Sequence, residues 1–310
     1  MEDVSDERYL GPYQFQVALI LRNSLFVSSL MFNSEAWYNV RSSEIDELEK
    51  ADEILLRKVL ECPESTPKEM LYLELGCLPI RFILMSRRVM FLQTMLQEEE
   101  NSLLHRFLQA QLNHPTKGDW CQTVEKNMKD LNLKLTHSEI KHMKKEDLQK
   151  VVKAACKVSA LEYLNSVKAK HSKVLHIPHP TLDMQPYLKP NHITISEAKF
   201  IFSVRTRMLD VRSNFKNKYS DLKCPNCKEE DSQPHLLSCE KLVSQSSIIS
   251  ELPKYENIFE QNLEEILKVA RILNTNFKQR NKLKSQEVNL VNRIVLQLFL
   301  CSTVCIGVVE

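Results

Sequence analysis

The densest apolar stretch lies near the amino terminus, where Phe15, Leu19, Leu25, Phe26, Leu30 and Met31 recur between Gln14 and Ser34. Apolar positions fall nearly all round, which predicts a helix buried on more than one side. Trp37 and Tyr38 follow its end. Ser43 and Asp46 have the spacing of a capping box and predict the start of a second helix. Ile45, Leu48, Leu55, Leu56 and Val59 give that helix one apolar stripe, Glu53 precedes Arg57 by four residues as a surface pair, and Pro63 stops it. A short helix from Pro67 to Leu75 has proline in its first turn and Gly76 just past its end. A long helix follows Leu78-Pro79 through Ile80, Ile83, Leu84, Phe91 and Leu92, and another covers Leu103 to Leu112.

From Thr136 the pattern thins. Thr136 and Glu139 repeat the capping-box spacing, and the helix that follows carries lysines at 141, 144, 145, 150, 153, 157, 168 and 170. Pro178, Pro180, Pro186 and Pro190 rule out a continuous helix over 171–193, which reads as a linker. Thr194 and Glu197 cap one more helix, from Ile195 to about Asp210, and an amphipathic helix runs from Ile258 to about Lys284. The apolar run from Ile294 to Val309 is interrupted by Gln297, Ser302 and Thr303. It is shorter than the ~20 residues that span a bilayer, so a buried terminal element is expected there and no membrane partner.

Composition sharpens this picture. The 310 residues contain four glycines, where average usage would supply about twenty. Dinucleotide-binding folds, phosphate loops and many-stranded sandwiches consume glycine in their turns. The expectation is a mainly α protein. The formal net charge of +2 conceals an uneven distribution: residues 1–133 hold 14 Lys and Arg against 21 Asp and Glu, and residues 134–239 hold 19 against 11. A basic middle suits a polyanion, although a solvated lysine-rich face accounts for it equally well. Nine cysteines do not make a secreted disulfide scaffold, and Met1 to Arg8 is acidic with no apolar stretch. A reducing intracellular location, nucleus or cytoplasm, is expected.

The most specific local pattern is Cys224-Pro225-Asn226-Cys227, followed by His235 and Cys239. Three thiolates and one imidazole suit a tetrahedral Zn2+ site with every position filled by protein, hence structural. The two-residue spacer lets both sulfurs of the first pair face one metal, and His235 and Cys239 lie about one helical turn apart. A redox dithiol would need a βαβ setting that is missing here, and ordinary buried cysteines are the remaining reading, the one that fits Cys62, Cys77, Cys121, Cys156, Cys301 and Cys305. Just before this pattern, Lys199, Arg205, Arg207, Arg212, Lys216, Lys218 and Lys223 interleave with Phe200, Phe202, Phe215 and Tyr219. The phenylalanines read as a helix core with the cations outside, forming a surface that would contact phosphates. Asp46, Asp52 and Asp221 read as unpartnered surface charges, and His105, His137, His142 and His171 as solvated. Nucleophile elbows, glycine-rich phosphate loops and metalloprotease motifs are missing.

Several ordered motifs carry a resemblance. They are Leu21-Arg22-Asn23-Ser24 with Ser34-Glu35-Ala36-Trp37; Ser65-Thr66-Pro67 with Leu71-Tyr72-Leu73-Glu74-Leu75-Gly76 and Leu78-Pro79-Ile80; Arg87-Arg88 with Phe91-Leu92; and Pro115-Thr116-Lys117-Gly118-Asp119-Trp120. With Arg205-Thr206-Arg207-Met208, Asn217-Lys218-Tyr219 and the terminal Cys-Cys-His-Cys pattern, the chain resembles the region after the polymerase core in non-LTR (LINE-type) retrotransposon reverse transcriptases. The resemblance covers roughly residues 14–285. It implies thumb-like and connector helices followed by a zinc knuckle that helps grip nucleic acid. The fingers and palm with their metal-binding aspartates are absent, as is an endonuclease, so no enzymatic activity is expected.

The sequence therefore predicts an acidic helical bundle over 1–133, a basic helix and Pro-rich linker over 134–193, a basic helix plus zinc knuckle over 194–240, and a C-terminal helix and apolar tail over 241–310. The expected partner is RNA or DNA, single-stranded or template-like, and no small-molecule substrate. A helical protein-interaction adapter, docking a partner on the basic 134–170 helix or the 258–284 helix, is the competing reading.

Overall fold

The computed structural model describes residues 13–171, 174, 177–189, 194–239, 241, 264 and 266–282. They are mainly α-helical, and the described residues hold no β-strand, only one antiparallel bridge between Lys223 and Glu230. The apolar run 294–309 lies outside the described residues. Among the described residues no helix is long and apolar enough to cross a membrane. The chain divides into two compact units, Met1–Phe202 and Ser203–Glu310.

In the first unit, α1 (Gln14–Leu21) runs through a π-helical turn (Arg22–Val27) into α2 (Ser28–Leu30). The order continues with α3 (Ser42–Leu60), α4 (Lys68–Leu75), α5 (Ile80–Gln97), α6 (Leu103–Asn113), α7 (Trp120–Asp130), α8 (His137–His142) and α9 (Lys145–Lys168). The central element is α5. It packs against α3, α6, α7, α8, α9 and the turn Ser34–Ala36, because Ile80, Phe82, Leu84, Val89, Leu92 and Met95 bury more than one of its faces. Val27, Met31, Ile80 and Leu84 form a core with Phe26, Trp37, Ile45 and Leu48 packed on it.

The opening helix departs from expectation. Phe15, Val27 and Met31 are buried, but Ile20, Leu21, Leu25 and Phe32 are exposed. A π turn accommodates an extra residue, which slips the helical face by one position. The residue turned inward at that slip is Arg22, whose guanidinium is held by Asp52 of α3 at 2.6 and 2.5 Å and also donates to the Leu78 carbonyl at 2.9 Å. Asp52 is thus fully buried rather than a surface charge. Asp46 is likewise partnered, by Arg81 at 2.8 Å, and Arg81 also grips Glu49 at 2.7 Å. Glu53 pairs with Lys68 at 3.4 Å rather than with Arg57, whose guanidinium donates to the Pro63 carbonyl instead.

Caps follow local chemistry with one shift. The start of α3 uses Glu44, which accepts the Arg41 amide at 2.8 Å, so the Ser43–Asp46 box does not form. The boxes at Thr136–Glu139 and Thr194–Glu197 form as their spacing predicts. Asp119 caps α7 by accepting from Gln122 N at 2.8 Å, and Trp120 then donates its indole N–H to the Glu35 carbonyl at 2.8 Å. Arg88 is buried without a carboxylate: it donates to the Trp37 carbonyl and to Asn127 Oδ1. Burial alone lowers its pKa to about 10, which leaves it cationic at neutral pH.

The proline-rich stretch is not a free linker. Leu182, Tyr187 and Leu188 are buried, and the segment crosses the end of α4 as a strap. Gln185 N donates to the Glu74 carbonyl at 2.9 Å, while the Glu74 carboxylate accepts from Tyr187 Oη at 2.6 Å and His179 Nε2 at 2.8 Å. Lys168 Nζ lies 3.2 Å from His179 Nδ1 and donates to the Ile177 carbonyl at 2.6 Å. An ammonium can only donate, so Nδ1 accepts and Nε2 carries the imidazole proton. Proline forbids helix in this stretch but leaves an extended chain free to pack. Gly76, at φ 64°, lets the strap come close: a Cβ there would lie 2.1 Å from Met184 N.

In the second unit the helix begun at Thr194 (α10, Ile195–Arg205) ends, and Arg207 adopts a left-handed φ of 54°. The helix is shorter than the run to Asp210 that the pattern predicts. A turn at Arg212–Phe215, the short helix α11 (His235–Ser238) and a helix over 266–282 (α12) complete it.

Candidate metal centre

Cys224, Cys227, His235 and Cys239 converge, with one donor atom from each within 4.8 Å of all the others. The first pair sits on a tight turn. Lys228 N donates to the Cys224 carbonyl at 3.1 Å, Cys224 N donates to the Glu229 carbonyl at 2.5 Å, and Lys228 takes a left-handed φ of 71° so that the chain doubles back to the Lys223–Glu230 bridge. The second pair sits on α11. The Ser232 hydroxyl accepts the His235 amide at 3.2 Å, and Cys239 N donates to the His235 carbonyl at 2.8 Å. That single turn sets His235 and Cys239 on the side facing the knuckle.

The four donors are close enough together to share one soft cation. Metal–sulfur bonds of about 2.3 Å place two thiolates about 3.8 Å apart, and a thiolate and an imidazole nitrogen about 3.5 Å apart. Cys227 Sγ and Cys239 Sγ are 3.7 Å apart, and Cys227 Sγ lies 3.1 Å from His235 Nε2. Cys224 and Cys239 are buried. Burial, and then hydrogen bonding to Cys227, pushes the Cys239 thiol up to about 12. All four positions would be taken by protein, which leaves no place for a catalytic water. The other described cysteines, Cys62, Cys77, Cys121 and Cys156, are free thiols; the last three are buried, and Cys62 is half-buried.

Buried polar residues that no local motif announced hold this region. Asp231, midway between Cys227 and His235, is fully buried and clasps Arg280 of α12. Asn214 Nδ2 donates to Gln233 Oε1 at 2.8 Å, and Gln233 Nε2 donates to the Val204 carbonyl at 3.0 Å. Asn276 Nδ2 donates to the Leu236 carbonyl at 2.7 Å.

The seven basic residues singled out by sequence are not all exposed. Lys199 belongs to the first unit, where its ammonium lies 2.5 Å from Glu61. Arg205 is buried, with 3% exposed, because its neighbours Phe202, Val204 and Thr206 are all enclosed. The helix is covered on successive positions, so its arginine does not lie outside. Arg207 is half-buried. Arg212 is half-buried too, 3.2 Å from Asp221, which is therefore not an unpartnered charge, and it donates to the Lys223 carbonyl at 2.9 Å. Lys216, Lys218 and Lys223 are exposed. Lys218 lies 3.3 Å from Asp210 and 5.2 Å from the Tyr219 ring centroid, and hydrogen bonding to Tyr219, then to Asp210, raises its pKa. Lys228, outside the predicted set, is exposed as well. Of the histidines read as solvated, His171 Nε2 lies 3.0 Å from Glu69 and His142 Nδ1 lies 2.8 Å from the Ser138 carbonyl.

Comparison with family models, with curated proteins and with solved structures finds no match to the chain.

Proposed function

We propose that this chain is a nucleic-acid-binding, zinc-binding fragment derived from a non-LTR retrotransposon reverse transcriptase, with no polymerase or endonuclease chemistry of its own. The reading is carried by one observation: a Cys-Cys-His-Cys group whose donor atoms all lie within 4.8 Å of one another sits in the same unit as the exposed cations Lys216, Lys218 and Lys223. Zn2+ is the metal that a closed set of three thiolates and an imidazole suits best. In this reading Cys224, Cys227, His235 and Cys239 hold the ion, which supplies rigidity and no reaction. The lysines contact phosphates, and the half-buried Phe215 and Tyr219 beside them offer ring faces to unpaired bases.

The test is fluorescence anisotropy of labelled single-stranded RNA titrated with zinc-loaded protein across graded salt. Binding should weaken by ~0.7 log units per log unit of salt for each phosphate neutralised on a single strand. Charge reversal of Lys216, Lys218 and Lys223 together should flatten that slope. An unchanged slope, or no binding at low salt, would overturn the reading. The adapter reading has its own support in Val151 and Val158, exposed seven residues apart on the basic helix α9. It predicts flat anisotropy and a protein partner on that face.

A further inference from the structure

The metal cluster lies under a buried anchor for α12. Asp231 is fixed on several sides: its amide donates to the Leu222 carbonyl at 2.8 Å, its own carbonyl accepts the Ser213 amide at 3.0 Å, and its carboxylate accepts the Arg212 amide at 2.9 Å. The same carboxylate takes Arg280 through two hydrogen bonds, one of 2.8 Å from Nε, with both side chains fully buried. One turn earlier on α12, Asn276 reaches the carbonyl of Leu236, the residue directly after His235. Val269, Leu273, Asn276 and Arg280 are all buried and recur at helical spacing as one stripe. Both polar anchors of that stripe therefore meet residues enclosed between the ligands of the cluster.

Apart from the hydrogen bonds at Asp231 and Gln233, little regular structure rigidifies those residues. Segment 224–239 contains one helix of four residues, a turn closed by a single antiparallel bridge, and two buried leucines, Leu236 and Leu237. Its apolar burial is small, so a cross-link among the four ligands would add much of the rigidity of the segment around those hydrogen bonds. Once the segment loosens, Asp231 leaves Arg280 as a buried guanidinium without its carboxylate, a state that favours release of the helix.

We infer that the cluster is a metal-dependent clamp: Zn2+ at the four ligands docks α12 through Asp231 and Leu236, and loss of the metal releases the helix and bares its apolar stripe. The inference rests on the zinc assignment and not on nucleic-acid binding. It is tested on the full chain by metal analysis together with hydrogen–deuterium exchange, before and after treatment with EDTA. In the zinc-loaded protein, amides of 266–282 and 224–239 are protected. Chelation should accelerate exchange in both segments together, by at least about a hundredfold, and leave α5 in the first unit unchanged. Arg280→Met, a substitution outside the knuckle, should keep one equivalent of zinc and the protection of 224–239 while deprotecting 266–282. Protection of 266–282 that survives chelation, or survives Arg280→Met, overturns the clamp while the zinc assignment stands. A preparation that binds no zinc overturns both.

Discussion

Replacing Gly76 by alanine tests how the first unit is closed. Gly76 ends α4 at φ 64°, and an added Cβ would lie 2.1 Å from Met184 N and 2.2 Å from the Asp183 carbonyl carbon. These are backbone atoms, so the strap itself has to move. The left-handed conformation alone costs a residue with a Cβ ~1–2 kcal/mol. Moving the strap weakens the Gln185–Glu74 main-chain bond, ~0.5–1.5 kcal/mol, and the Tyr187 bond to the Glu74 carboxylate, ~1.5–3 kcal/mol. The expected loss is ~3–6 kcal/mol. The protein supplies its own control. Gly118 has φ 82°, and a Cβ there meets nothing closer than Asn39 Oδ1 at 4.0 Å, so Gly118→Ala should cost only the ~1–2 kcal/mol backbone share. Urea unfolding followed by tryptophan fluorescence reports on this unit, because both tryptophans of the chain, Trp37 and Trp120, lie in it. Equal losses for the two variants would refute the packing of the strap on α4.

The same assay checks three further expectations. Tyr187→Phe should cost ~1.5–3 kcal/mol and Glu74→Gln ~3 kcal/mol or more, since the latter removes the charge that His179 and Tyr187 both address; a loss below half a kilocalorie for both, roughly the noise of a surface change, would show that this network is not formed. Arg22→Met should cost ~3–5 kcal/mol by leaving Asp52 buried alone, whereas the double variant Arg22→Met/Asp52→Leu should be markedly less destabilised; equal losses would argue against a buried pair. The Asp183 carboxyl is held below its ordinary 3.8, first by the hydrogen bond from Lys157. A depressed folded-state value stabilises the fold above the ordinary value and is lost as pH falls through it. Stability of the first unit should therefore drop below about pH 4, and Lys157→Met should make that acid slope shallower.

What the sequence disclosed and what it withheld separate along a physical line. Features written into a few adjacent residues were legible: the Thr136–Glu139 and Thr194–Glu197 boxes, Gly76 at a helix end, the long helix that follows Leu78-Pro79, and the four metal-suited donors at knuckle spacing. Each is set by chemistry within one or two turns of chain. Features that need two distant segments were not. Asp52 is indistinguishable in sequence from the solvated acids around it, and only the fold brings it to Arg22, thirty residues away. Arg205 has the same amphipathic neighbourhood as an exposed arginine, yet α10 is covered on successive positions and takes its arginine inside.

The buried charges share a further property. Asp52 ties α3 to the opening helix, Glu74 ties α4 to the strap, and Asp231 ties the knuckle to α12. In each case a carboxylate on one element receives donors from a segment remote in sequence. Such pairs add little net stability over a well-packed apolar contact, but a misplaced partner leaves a buried charge uncompensated, at several kcal/mol. Apolar packing alone would let Leu, Ile and Met side chains settle in several registers. In a chain with so few glycines to fix its turns, these three buried carboxylate contacts select which helix faces meet, which is why removing one partner is expected to cost far more than removing both.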